Sequence, residues 1–79
     1  NKANSLSNFQ YLIHVLSVQG MKCQGCVKYV TKRLLEFQDI LAVYIELEKA
    51  QVSFAVRDDP KSTILQDSIQ LLKQMNYTV

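Results

Sequence analysis

Gly20-Met21-Lys22-Cys23-Gln24-Gly25-Cys26 sits where the hydrophobic period of the chain changes. Ahead of it, residues 10–18 are rich in strand formers, with Leu16 and Val18 on one face and Ile13 and Val15 on the other. Behind it, Val27, Val30, Leu34 and Phe37 recur at the spacing of one helical face. The chain therefore passes from strand to helix through this loop, and the loop holds both of its cysteines.

Outward from the loop, the first helix is expected to end at Asp39, a residue type that tolerates the left-handed turn conformation. Alternation then returns. Val43, Ile45 and Leu47 point one way and Ala42, Tyr44 and Glu46 the other. After a turn at Glu48-Lys49, Ala50, Val52, Phe54 and Val56 alternate again, which predicts a β-hairpin over 41–57. Asp58-Asp59-Pro60 breaks the sheet, and Thr63-x-x-Gln66 has the form of a capping box. Ile69, Leu72 and Met75 carry a second helical face from Leu65, Asn76 stops it, and Tyr77-Thr78-Val79 starts a last strand.

The order is β-α-β-β-α-β. Two helices covering one face of a four-stranded antiparallel sheet, with right-handed crossovers, make a ferredoxin-like α+β sandwich. That arrangement puts residues 20–26 at one end of the molecule, together with the loop around Asn76 and Tyr77.

Composition narrows what such a domain does. Seventy-nine residues make one domain, which buries only about 60% of its unfolded surface and has no room for a deep catalytic cleft with lids. A net charge of +2 is too weak to indicate nucleic-acid binding. The apolar run from Tyr11 to Val18 is interrupted by His14 and Ser17, far short of the ~18 residues a membrane span needs. Residues 1–9 are polar and aperiodic and read as a flexible lead-in, either a linker from a longer chain or a processed terminus, ahead of a domain over 10–79. Two cysteines are too few for a secreted disulfide scaffold, and a Cys-x-x-Cys pair suits metal or redox chemistry in a reducing compartment such as the cytoplasm.

A Cys-x-x-Cys pair can close on one soft metal ion or form one disulfide. Redox enzymes also place such a pair at a helix start, but they need a longer fold and usually a cis-proline facing the thiols. The only proline here, Pro60, precedes the second helix. Structural zinc wants four protein ligands, and this chain offers two cysteines plus His14, several residues before the loop. Soft thiolates favour Cu(I).

With its element order, the segment Gly20-Met21-Lys22-Cys23-Gln24-Gly25-Cys26 resembles the Gly-Met-x-Cys-x-x-Cys motif of the heavy-metal-associated domain family. That family comprises small copper chaperones and the cytoplasmic N-terminal metal-binding modules of copper-transporting P-type ATPases. The likeness continues through Val30, Leu34, Ile40, Val43, Ile45, Leu47, Ala50, Val52 and Ile69 and covers residues 10–79. Two customary glycines are replaced by Asp39 and Asn76, and Lys22 stands where Thr or Ser is usual.

The resemblance implies a non-enzymatic domain that binds Cu(I) through Cys23 and Cys26 and passes it on by thiolate exchange. It implies packing of Met21 beneath the loop and closure of Tyr77 over the site. Cys26 at a helix N-terminus and Lys22 beside Cys23 both favour thiolate over thiol. Lys22 also occupies the place where zinc- and cadmium-transporting relatives often carry an Asp ligand, which disfavours a divalent ion. Lys28, Lys32 and Arg33 form a basic helix side with no acid between residues 21 and 35. It resembles the surface with which copper chaperones dock on acidic ATPase domains, a feature that orients encounter more than it adds affinity.

The implied partner is a copper donor or acceptor protein, with no nucleic acid and no membrane insertion. A monomer is expected, with a metal-bridged dimer as the alternative. The competing functions are a zinc- or mercury-binding relative on the same fold and a thiol-disulfide redox protein.

Overall fold

The computed structural model describes residues 10–79. The lead-in expected over residues 1–9 lies outside them. Five elements follow in order: β1 (Tyr11–Ser17), α1 (Gln24–Leu35), β2 (Ile40–Glu46), β3 (Gln51–Arg57) and α2 (Ile64–Gln74). The strands form an antiparallel sheet in the order β1-β3-β2. Val52, Phe54 and Val56 of the central strand point inward with Leu16, Val18, Val43 and Ile45. Val30 and Leu34 of α1 and Ile64, Leu71 and Leu72 of α2 close the same core, so both helices cover one face.

β2 follows the expected alternation from Ala42 onward, and a bulge breaks it at Ile40. The register with β3 shifts between Ile40 and Ala42. Leu41 takes up the extra residue, letting Ile40 point into the core although Ala42 points out. The hairpin turn spans residues 47–50 and closes with the Ala50 amide donating to the Leu47 carbonyl at 3.1 Å. Ala50 adopts φ +53°, a left-handed conformation that the strand alternation through this residue does not foresee.

Three local expectations are corrected. First, α1 ends at Leu35 with Glu36 as a right-handed cap, and Asp39 is not left-handed. Asp39 instead accepts from the Ser62 hydroxyl at 3.2 Å, and its carbonyl accepts from the Arg57 amide, tying together the connections at the foot of the sheet. Second, the capping box does not form: Thr63 caps α2 without a side-chain bond. Its hydroxyl donates to Asp67, while the Ser62 hydroxyl accepts from the Ile64 amide at 3.1 Å. Third, the buried face of α2 runs through Ile64, Ser68, Leu71 and Leu72, rotated from the Leu65/Ile69 line. A serine in the core hides that phase from the hydrophobic pattern.

The expected fourth strand is reduced to one bridge, Gln19 with Thr78, held by reciprocal amide–carbonyl bonds of 2.8 and 3.0 Å. Its start is set by how α2 stops. Asn76 takes φ +71°, its amide bonds the Lys73 carbonyl, and the Tyr77 amide reaches back to the Leu72 carbonyl. This is a Schellman motif with Asn in the position glycine usually fills. It occupies the Tyr77 amide, so pairing beside β1 begins at Thr78, in the ferredoxin-like strand order.

Candidate metal centre

The loop between β1 and α1 is held at its base on both sides. The Val18 amide donates to the Ala50 carbonyl at 2.8 Å, and Gln19 pairs with Thr78. Gly20 then turns with φ +115°, where an L side chain would be strained. A Cβ there would also meet the Tyr77 ring carbon Cδ1 at 3.0 Å. Met21 tucks into the core at 9% exposure, so its thioether packs with the apolar cluster. Lys22 and Cys23 emerge into solvent.

Cys23 is the N-cap residue of α1, with extended backbone (φ −154°, ψ 168°). Its carbonyl accepts the Val27 amide, the first bond of the helix. Gln24, Gly25 and Cys26 form the first turn, which carries no acidic residue. This geometry sets the two sulfurs 3.3 Å apart, both as free thiols, with Cys23 exposed and Cys26 half-buried. The separation lies well beyond a ~2.05 Å disulfide bond.

The helix start is electropositive for its own reasons: unpaired amides and the macrodipole favour an anion there. The Cys26 thiol is lowered to about 7, chiefly by the backbone amide of Lys22 donating to its sulfur. The Cys23 side chain, the Cys23 amide and the Tyr77 hydroxyl add to this, against partial burial, which raises it. Lys22 thus acts on Cys26 through its backbone amide. Tyr77 is shifted up in turn, first by its own burial and then by its bond to Cys26.

The loop, the helix start and Tyr77 therefore meet at one end of the molecule. His14 is not with them. It stacks at a tilt on Phe54, ring centres 5.6 Å apart, inside the β1–β3 pair. Among the described residues no third His, Cys, Asp or Glu groups with the two cysteines. On α1, Lys28 and Lys32 are exposed. Arg33 is engaged locally, 3.2 Å from Glu36 and stacked 5.9 Å over the Tyr29 ring, so the basic face is carried by the two lysines. Neither the Gly20–Tyr77 contact nor the Lys22 amide was legible as a site feature; backbone groups carry no residue-type signal.

The heavy-metal-associated domain family model matches residues 15–78. The chain belongs to this family of metal-binding domains. It is similar to the copper chaperone CopZ of Bacillus subtilis (strain 168), 33% identical over 64 residues that cover 81% of this chain and 90% of CopZ. Its fold matches the solution structure of a protein from Bacillus anthracis str. Ames assigned as copper-ion-binding. That likeness has a TM-score of 0.76 at 23% identity, covering 87% of this chain and 94% of the other.

Proposed function

We propose that this domain carries Cu(I), held between Cys23 and Cys26, and hands it to a partner protein by thiolate exchange. One observation carries the reading: two free sulfurs 3.3 Å apart at an exposed helix start, with no third donor grouped with them among the described residues. Such a donor set suits a soft ion of low coordination number and leaves room for an incoming ligand. Two sulfurs at this spacing lie within twice a ~2.3 Å metal–thiolate bond, and rotation of the exposed Cys23 side chain widens the bite.

In the exchange, a first partner thiolate bonds to the ion as the Cys23–metal bond breaks, and a second partner thiolate then replaces Cys26. Cys23 is displaced first because it is the exposed sulfur, whereas Cys26 is half-buried. Met21 supports the loop from the core, and Tyr77 covers the half-buried side of the pair. Lys28 and Lys32, with Arg33 at their edge, would meet an acidic partner surface.

The domain acts without catalysis, as a free chaperone or as one metal-binding module of a copper-transporting P-type ATPase, in the cytoplasm or at the cytosolic face of the transporter. Residues 10–79 form the domain, and residues 1–9 serve as its lead-in.

The test is anaerobic competition of the reduced protein for Cu(I) against a chromophoric chelator, with Zn(II) in parallel. The reading expects one tightly held Cu(I) per chain, far weaker Zn(II) binding, and loss of Cu(I) retention in Cys23→Ala and Cys26→Ala. Failure to compete for Cu(I), or near-wild-type retention by either variant, would overturn it.

A further inference from the structure

The face of the sheet away from the helices carries a second surface unrelated to the cysteines. Strand register sets its side chains in rows across β1, β3 and β2. Tyr11 lies beside Arg57 at one end. Next come Ile13, Ala55 and Ala42, then Val15, Ser53 and Tyr44, and finally Ser17, Gln51 and Glu46. Tyr11, Ile13, Val15 and Tyr44 are 52, 58, 56 and 64% exposed. An apolar groove runs between Ile13 and Tyr44 over the small residues Ala42, Ser53 and Ala55. The two middle rows hold no charge; the end rows hold one charge each, of opposite sign.

We infer that this face binds the same face of a second copy, forming a metal-independent, two-fold dimer with the strands of the two copies antiparallel. Charge selects that arrangement. A two-fold axis in the interface and across the strands sets each end row against the opposite end row of the other copy. Arg57 then comes beside Gln51 and Glu46 of the second copy. An axis along the strands would instead set Arg57 against Arg57. Lys49 stands 3.6 Å from Glu46, but a carboxylate accepts from more than one donor.

Size follows the same choice. The antiparallel arrangement sets Tyr44 over Ala42 of the other copy, Tyr11 over Ser17 and Ile13 beside Val15. Bulk therefore meets a gap on both sides of the groove, at the ~10 Å spacing of packed sheets.

The area sets the strength. Seven residues at ~3.3 Å per residue, and three strands ~4.8 Å apart, make a face about 23 Å long and 14 Å wide. Two such faces bury an area at the low end of specific interfaces, below ~1,200 Å² in total. The dimer is accordingly weak and reversible. The cysteine loop follows β1 beyond the Ser17 row, so the two loops lie at opposite ends of the pair. Both thiol pairs stay open to a partner, unlike a dimer bridged by metal at the cysteines.

Sedimentation velocity of the full chain, reduced and with a metal chelator, tests this from about 10 μM to about 1 mM, the range in which so small an interface dissociates. The expected result is a sedimentation coefficient that climbs with concentration toward the dimer value, unchanged in the Cys23→Ser/Cys26→Ser double variant. Tyr44→Lys, at an exposed position, should weaken association at least tenfold while keeping the far-ultraviolet circular dichroism spectrum. Arg57→Glu should weaken it too, and adding Glu46→Arg should restore it. A concentration-independent monomer, or association that appears only with copper, would overturn the proposal. Failure of the charge-swapped double variant to recover would overturn the antiparallel arrangement.

Discussion

Gly20 and Tyr77 interlock: the glycine turns at φ +115°, and the aromatic ring fills the space a β-carbon would need, 3.0 Å away. The contact joins two parts of the chain 57 residues apart in number, and it sets the loop that carries Cys23 against the ring whose hydroxyl bonds Cys26. A backbone conformation and a side-chain contact thus enforce the same requirement at one position.

Gly20→Ala should therefore cost more than its removed freedom. Strain at positive φ contributes about 1–3 kcal/mol, and the Tyr77 ring must also shift. Denaturant unfolding is expected to show a loss in that range, with slower metal uptake because the ring no longer seats against the loop. Unchanged stability would show that the loop relaxes freely.

The Cys26 thiol makes stability depend on pH in a defined direction. Its folded-state value is lowered from 9.0 to about 7, so the native state favours the thiolate more than the unfolded chain does. A depressed acid stabilises the fold fully above its unfolded value and loses that contribution as pH falls through the folded value. The melting temperature of reduced, metal-free protein should rise between about pH 7 and 9 from this group, a rise that Cys26→Ser should remove.

Because the chief cause is the Lys22 backbone amide, Lys22→Thr should leave the Cys26 titration in place. Residue-resolved alkylation across pH measures it. A clear upward move of the Cys26 midpoint would show that the ammonium, not the amide, governs the thiol.

Ser68 is fully buried on α2, and its hydroxyl has no partner among the described residues. Removing an unpaired buried hydroxyl while keeping the volume nearly constant should raise stability by on the order of 1 kcal/mol. Ser68→Ala in urea unfolding is the measurement, and a loss of stability instead would reveal a hydrogen bond at this position.

Much of this molecule was readable before its structure. Strand and helix differ in period, so Leu16/Val18, Val30/Leu34 and Val52/Phe54/Val56 announced their faces directly. The loop around Cys23 and Cys26 could be placed because the period switches there. Asn76 as a helix stop was legible as well, since few residues accept positive φ. The elements that misled were those whose signals depend on partners. Asp39 reads as a turn residue but serves as an acceptor for Ser62. Thr63 and Gln66 have capping-box spacing, yet Ser62 and Asp67 take up the hydrogen bonds.

By itself, then, the amino-acid order determined the sequence of elements, the inward faces of the strands and the location of the thiol pair, because local periodicity and turn chemistry need no distant contacts. Only the tertiary structure decided the phase of α2 around Ser68, the pairing of Thr78 with Gln19, and the seating of Tyr77 on Gly20. It also decided that Lys22 reaches Cys26 through its amide. Each of these depends on groups far apart in the chain or on backbone atoms common to every residue, and such groups leave no pattern in residue type.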